Sequence, residues 1–220
     1  IQTSIKLKQN ENLLIEVTGE DGMPLAKEIE LQAKEIKAIP KVKLINYNKL
    51  KDFLLNATEE EIKIYGRKDL KTMEKMQAYI GISSPTKDRP LEGVPQEKLE
   101  IYNKFYVKPV HLEQRVKKTK WCILRYPNEF LATKNNMNLQ KFKEFFFDVC
   151  NVDYAKMSIA MDALKDVMNN TDKVHIIAPE TDLTFSIKGI PAEKYYGTFN
   201  LPDGEVATAP IKNSVNGILT

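Results

Sequence analysis

The sequence predicts an α/β fold: a doubly wound, mostly parallel sheet with helices on both faces, followed by a β-rich start of a second domain. Three observations carry this. Short apolar runs alternate with longer stretches of helical periodicity through most of the 220 residues. Glycine and proline stand at the ends of those runs, where chain reversals are needed. After residue 180 the helical stretches stop, and short strand-like runs follow one another through turns. Alternation of strand and helix implies parallel pairing, because parallel neighbours need a crossover, and right-handed crossovers make a doubly wound domain the economical topology.

The elements follow in order. "NLLIEVTG" (12–19) is an apolar run ended by glycine, the pattern of a strand buried on both faces. In 21–38, Leu25, Ile29, Ala33 and Ile36 recur at helical spacing. Pro24 suits the first turn of that helix, and Asp21 is the candidate N-cap. "KVKLINYN" (41–48) reads as a second strand, with helices at 49–56 and 59–77. "AYIGIS" (78–83) is a third strand, and "SSPTKDRPLEGVP" (83–95) a proline-rich loop. A helix over 96–117 is expected to break near Pro109, whose ring and missing N–H oppose an α-helix interior. "KWCILRYP" (120–127) is a fourth strand. Two helices come next. One is lined by Leu139, Phe142, Phe146 and Val149, the other by Met157, Ala160, Met161, Leu164, Val167 and Met168. Both stripes read as core. "KVHIIAP" (173–179) is the fifth strand in the series. The change of pattern near 180–190 divides the chain into an α/β domain, 1–182, and a β-rich segment, 183–220.

Composition narrows the function classes. Lysine and arginine number 33 against 30 aspartates and glutamates, a net charge of +3. Such a balance gives no reason to invoke nucleic acid or an anionic membrane. The densest basic run, "RVKKTK" (115–120), reads as a solvated helix end. No apolar run has the length of a membrane span and no signal peptide pattern precedes the first strand, so cytoplasm is the expected compartment. Cys122 and Cys150 sit among apolar neighbours and show neither metal spacing nor a disulfide framework.

The nucleotide signal is weak. The first strand-to-helix junction, "VTGEDGMPLA", holds Gly19 and Gly22 but neither G-x-G-x-x-G nor a P-loop pattern. The two histidines, His111 and His175, have no ligand partner at a recognisable spacing. Glu205 is different. It follows a Pro202-Asp203-Gly204 turn directly, so its backbone origin is rigid, and its same-face neighbours Ala207 and Ala209 are small. Spacing alone leaves two readings open: an exposed edge-strand carboxylate, or one with room beside it for a cation or substrate group.

A longer pattern surrounds it. "PETDLTFSIKG" followed by "FNLPDGEVATAPIKNSVNG" resembles the M29 metallopeptidases, the thermophilic-type aminopeptidases. The family pattern runs G-T-D-L-x-F, N-x-P-x-G-E-[VI]-x-T-A-P and S-x-x-G. It is met by Thr181, Asp182, Leu183 and Phe185, by Asn200, Pro202, Gly204 and Glu205, and by Thr208, Ala209, Pro210, Ser214 and Gly217. Glu180 departs from it, standing where a glycine is usual, which puts the local turn in question.

The resemblance implies a cytoplasmic, homodimeric exopeptidase that removes N-terminal residues from peptides with two bound divalent metals, with cobalt, zinc and magnesium all open. It places the first metal ligand at Glu205 and assigns no other residue here. Its remaining ligands, a glutamate, two histidines and an aspartate, come later in such enzymes than Thr220. The chain is therefore expected to be the N-terminal portion of such an enzyme, binding no metal tightly and inactive alone. In that portion, 183–220 is expected to present unpaired strand edges. The alternative is a stand-alone α/β binding or interaction module, with its site at the carboxyl ends of the strands near 19, 84 or 127.

Overall fold

A computed structural model describes residues 4–220 of the chain. They form two compact units, Ile1–Asp148 and Val149–Thr220. In the first, β1 (Asn12–Thr18) leads through a 3-10 turn (Glu20–Gly22) into α1 (Met23–Glu35), β2 (Ile39–Ile45), α2 (Tyr47–Asn56), α3 (Glu59–Met73) and β3 (Ala78–Ser83). Then come α4 (Gln96–Tyr102), a π-helical segment (Asn103–Arg115), α5 (Val116–Lys118), β4 (Lys120–Arg125), α6 (Glu129–Lys134) and α7 (Leu139–Cys150).

The strands pair in parallel in the order β2-β1-β3-β4, so the winding reverses between β1 and β3. Burial follows from composition. β1 and β3 are buried along almost their whole length, as continuous apolar runs require. β2, at the edge, carries Pro40, Lys41 and Lys43 and alternates between exposed and half-buried residues. On one face Leu14 and Tyr79 pack with Leu50 and Leu54 of α2, Ile62 and Met73 of α3, and Tyr102, Tyr106 and Val110. Each fully buried aliphatic side chain there contributes about 1.5–3 kcal/mol. On the other face Leu13, Ile15 and Val17 are buried. A β-carbon on Gly22, the residue before α1, would lie 2.9 Å from Ile82 Cγ2 and 3.0 Å from Val17 Cγ1. Helices thus cover both faces, as the alternation predicts.

Local signals explain the helix ends. Asn46 caps α2 by accepting from the Lys49 amide. Thr58 and Glu61 form a reciprocal capping box at α3. α1 departs from expectation: its N-cap is Gly22, with no side-chain bond, and Asp21 lies in the preceding 3-10 turn. α6 was not foreseen; six residues are too few to show a period, although Asn128, which accepts from the Leu131 amide, marks its start.

The expected break at Pro109 is absent. The chain stays helical from Gln96 to Lys118, with Pro109 inside the π-helical stretch. An α-helix would set the proline ring against the carbonyl four residues back; the wider i→i+5 turn moves that carbonyl. This segment packs on α3 at backbone distance. A β-carbon on Gly66 would lie 2.0 Å from the Phe105 carbonyl oxygen.

The second unit contains α8 (Tyr154–Asn169), β5 (Lys173–Ala178), β6 (Thr181–Ser186), β7 (Glu193–Tyr195), β8 (Asn200–Leu201), β9 (Glu205–Ala207) and β10 (Asn216–Ile218). β5 does not continue the parallel series. It pairs antiparallel with β6, in a sheet ordered β10-β6-β5, because only Pro179 and Glu180 separate the strands and no crossover fits. β7 and β9 form a separate antiparallel pair.

The α8 stripe is not core. None of its residues is buried; Met157, Met161 and Met168 are half-buried, and Leu164 and Val167 are 52% and 63% exposed. Helical periodicity states that a face is apolar, not that anything covers it. Ile177, Ile218 and Leu219 are also exposed. Among the described residues, no helix is long and apolar enough to cross a membrane.

Candidate functional site

Glu205 is the first residue of β9 and is exposed. Its position is fixed from both sides. Before it, Gly204 has φ 143°, a conformation that suits glycine. The Asp203 carboxylate closes this turn, accepting from the Gly197 amide at 2.8 Å and the Gly204 amide at 3.1 Å. The Asp203 amide donates to the Tyr154 hydroxyl at 3.3 Å. The Tyr154 ring lies so close to Gly197 that a β-carbon there would be 3.1 Å from it, and Met157 Sδ stands at the same distance from one on Gly204. The turn is thereby held on the first turn of α8.

After it, β9 pairs with β7 in the register Tyr195↔Glu205, Lys194↔Val206 and Glu193↔Ala207. Lys194 ties that ladder to α8, donating to the Ser158 carbonyl at 2.8 Å and to Asp162. Thr208 Oγ1 donates to the Ile190 carbonyl at 3.2 Å. The Glu205 side chain stays clear of these fastenings, an oxygen donor on a backbone that the ladder holds.

The flanking motif residues have backbone tasks. Gly217 of β10 stands opposite Leu183 of β6, and a β-carbon there would be 2.0 Å from the Asp182 carbonyl oxygen. Ser214 Oγ accepts from the Ser186 amide at 2.9 Å and donates to the Ile211 carbonyl at 2.7 Å. Thr181 is buried and its Oγ1 accepts from the Thr220 amide at 3.3 Å. Asp182 Oδ1 meets His175 Nε2 at 2.8 Å, giving a partner to a histidine that looks isolated in the sequence. Glu180 has φ 55°, so the position where the family pattern has glycine is a left-handed one.

A divalent ion needs several protein donors. Among the described residues, no three His, Cys, Asp or Glu side chains come together as such a set. Glu205 alone does not fit two metal ions.

The first unit holds a second feature, at the carboxyl ends of β1 and β3. Gly19 has φ 86°, and a β-carbon there would lie 2.0 Å from the Ser84 carbonyl oxygen. Its glycine is explained by that contact rather than by approach to a phosphate. Asn128, unremarked in the sequence, is buried and joins three segments: its Nδ2 donates to Ser84 Oγ at 3.2 Å, Asp21 Oδ2 at 3.2 Å and the Pro85 carbonyl at 2.9 Å. Beside them is a cavity of about 310 Å³, lined by Gly19, Asp21, Asn46, Tyr47, Thr86 and Lys87 among others. The other histidine, His111, is in the π-helical segment, and burial holds its pKa below the ordinary value.

Comparison with known proteins gives three results. The sequence model of the family described as thermophilic metalloprotease (M29) matches residues 1–220. No curated protein sequence matches. Among solved structures, wild-type AmpT from Thermus thermophilus is similar, with a TM-score of 0.75 at 18% identity over 99% of this chain and 61% of that one. At that identity the likeness shows a shared fold. The chain spans about 61% of the length of that relative.

Proposed function

Since the chain belongs to the thermophilic metalloprotease (M29) family, we propose that it is the N-terminal portion of an aminopeptidase that releases N-terminal residues from peptides with two divalent ions. The observation that carries this reading is the mounting of Glu205: an exposed carboxylate opening β9, on a turn that Asp203, Tyr154 and Met157 hold in place. Glu205 is the first metal ligand in this proposal, and the catalytic domain begins within the second compact unit. The partner ligands are supplied by further chain. The 220 residues alone then neither bind metal tightly nor hydrolyse peptides. The bare apolar surface on α8 and at Ile177, Ile218 and Leu219 supports this, since it is the kind of face that further chain would cover. Peptide substrates, a homodimeric whole protein and a cytoplasmic setting complete the proposal.

The test is hydrolysis of aminoacyl-anilides by the longer protein with added cobalt or zinc. Glu205→Ala is expected to lower metal-dependent turnover on the order of 100-fold or more, because a bound metal supplies several kcal/mol of transition-state stabilisation. Full metal-dependent activity in that variant would refute the role given to Glu205.

The cavity beside Gly19 and Asn128 favours a second reading, a stand-alone binding module. It lies where the strand order reverses, the usual ligand position in open α/β sheets. Saturable ligand binding there by a natural chain that lacks metal-dependent activity would select it.

A further inference from the structure

Glu16 stands in the middle of β1, in a run otherwise apolar, and is 8% exposed. Burying a carboxylate in a sheet interior is costly unless it is paired. Its Oε1 accepts from the Tyr79 hydroxyl at 3.2 Å and its Oε2 from Lys43 Nζ at 3.3 Å. Lys43 is nearer to Asp69, at 2.5 Å. Two carboxylates therefore share one lysine. Arg115 lies over the rings of Tyr79 and Trp121 at 5.1 and 4.9 Å and acts on Glu16 electrostatically without a close ion pair, and Lys43 Nζ lies 5.9 Å from the centre of the Tyr106 ring.

Glu16 looks onto a cavity of about 300 Å³ beneath the π-helical segment, lined by Glu16, Tyr47, Tyr65, Tyr102, Tyr106 and His111 among others. The tyrosines form a wall: Tyr102 stacks on Tyr106 with ring centres 4.8 Å apart, and Tyr65 tilts against Tyr106 at 5.1 Å. Aromatic faces attract cations and repel anions. Burial keeps His111 toward its neutral form, although Glu16 pulls the other way. Each Glu16 oxygen accepts one of the bonds above and can accept another.

We propose that this tyrosine-lined cavity binds a small organic ammonium, with Glu16 as its counter-charge. The volume suits a short alkylammonium, at the lower end of small-molecule sites. The site lies wholly in the first compact unit, whereas Glu205 belongs to the second.

The test uses the 220-residue chain and three probes of similar size: butylammonium, butan-1-ol and butyrate. Calorimetry is expected to show saturable binding of butylammonium with no matching signal from the other two. Only two histidines are present, so their ring protons are readily separated by NMR. Those of His111 should shift on titration while those of His175 stay. Glu16→Gln should weaken binding at least tenfold. Equal binding of butan-1-ol, absence of binding, a shift confined to His175, or unchanged affinity in Glu16→Gln would each overturn the proposal. If Glu16→Gln does not fold, the three-probe comparison on the unaltered chain decides.

Discussion

Replacing Glu180 by glycine should stabilise the second unit. Pro179 and Glu180 alone connect β5 to β6, and Ala178 pairs with Thr181 across the turn. A proline at the first central position and φ 55° at the second is the pattern of a type II turn, which asks for glycine there. A non-glycine residue in the left-handed region costs about 1–2 kcal/mol. Glycine removes that cost but gives back about 0.5–1 kcal/mol in unfolded-chain entropy. The net gain is about 0.5–1 kcal/mol, or about two- to fivefold in an opening equilibrium. The Glu180 carbonyl accepts from Thr220 Oγ1 at 2.9 Å, a bond the substitution keeps. Hydrogen exchange at the paired β5 and β6 amides reads the effect, expected to slow by that factor. Glu180→Ala is the control, since alanine pays the same left-handed cost. Equal slowing in both variants would assign the effect to the lost charge, and no slowing in the glycine variant would refute the turn argument altogether.

Gly66→Ala should act against helix propensity. In a helix interior alanine is normally better than glycine by about 1 kcal/mol. Here its methyl would lie 2.0 Å from the Phe105 carbonyl, and overpacking of this kind costs about 1–3 kcal/mol. The urea midpoint of the first unit is expected to fall; a rise would refute the close approach. Cys150, which forms no disulfide, has its thiol pushed up to about 11 by burial. Its alkylation by iodoacetamide should keep accelerating as pH rises from 9 toward 11, because the thiolate is the nucleophile. A rate already level at pH 9.5 would count against this.

The strands of the first unit were legible because their signal is local: an apolar run such as Leu13–Val17, with glycine just beyond it at Gly19. Partner choice was less so. The run 173–178 looks like the strands before it, and only the two-residue spacing to Thr181 shows that it must turn back. Apolar periodicity in α8 was visible, yet its covering is not a property of the helix. The π-helical stretch was hidden because Tyr102, Tyr106 and Val110, four apart, serve an α-helix as well as a wider one. At Glu205 the turn could be read from Pro202 and Gly204, while the two amides that Asp203 binds could not. Glu16 was in plain view as a charge inside an apolar run, and a strand assignment alone passes over it.

The π-helical segment also makes the number of residues between Tyr102 and Arg115 a quantity the fold depends on. A surface loop absorbs an insertion or deletion by changing its path. A helix cannot. One residue added or removed turns everything beyond it by about 100°. Tyr106, Val110 and Arg115 are all buried along this stretch. Shortening it by one residue toward an ordinary α-helical turn would swing Arg115 off the rings of Tyr79 and Trp121 and bring the Pro109 ring back against a carbonyl. Length variation among related chains should therefore collect outside residues 102–115, in the loop before α4.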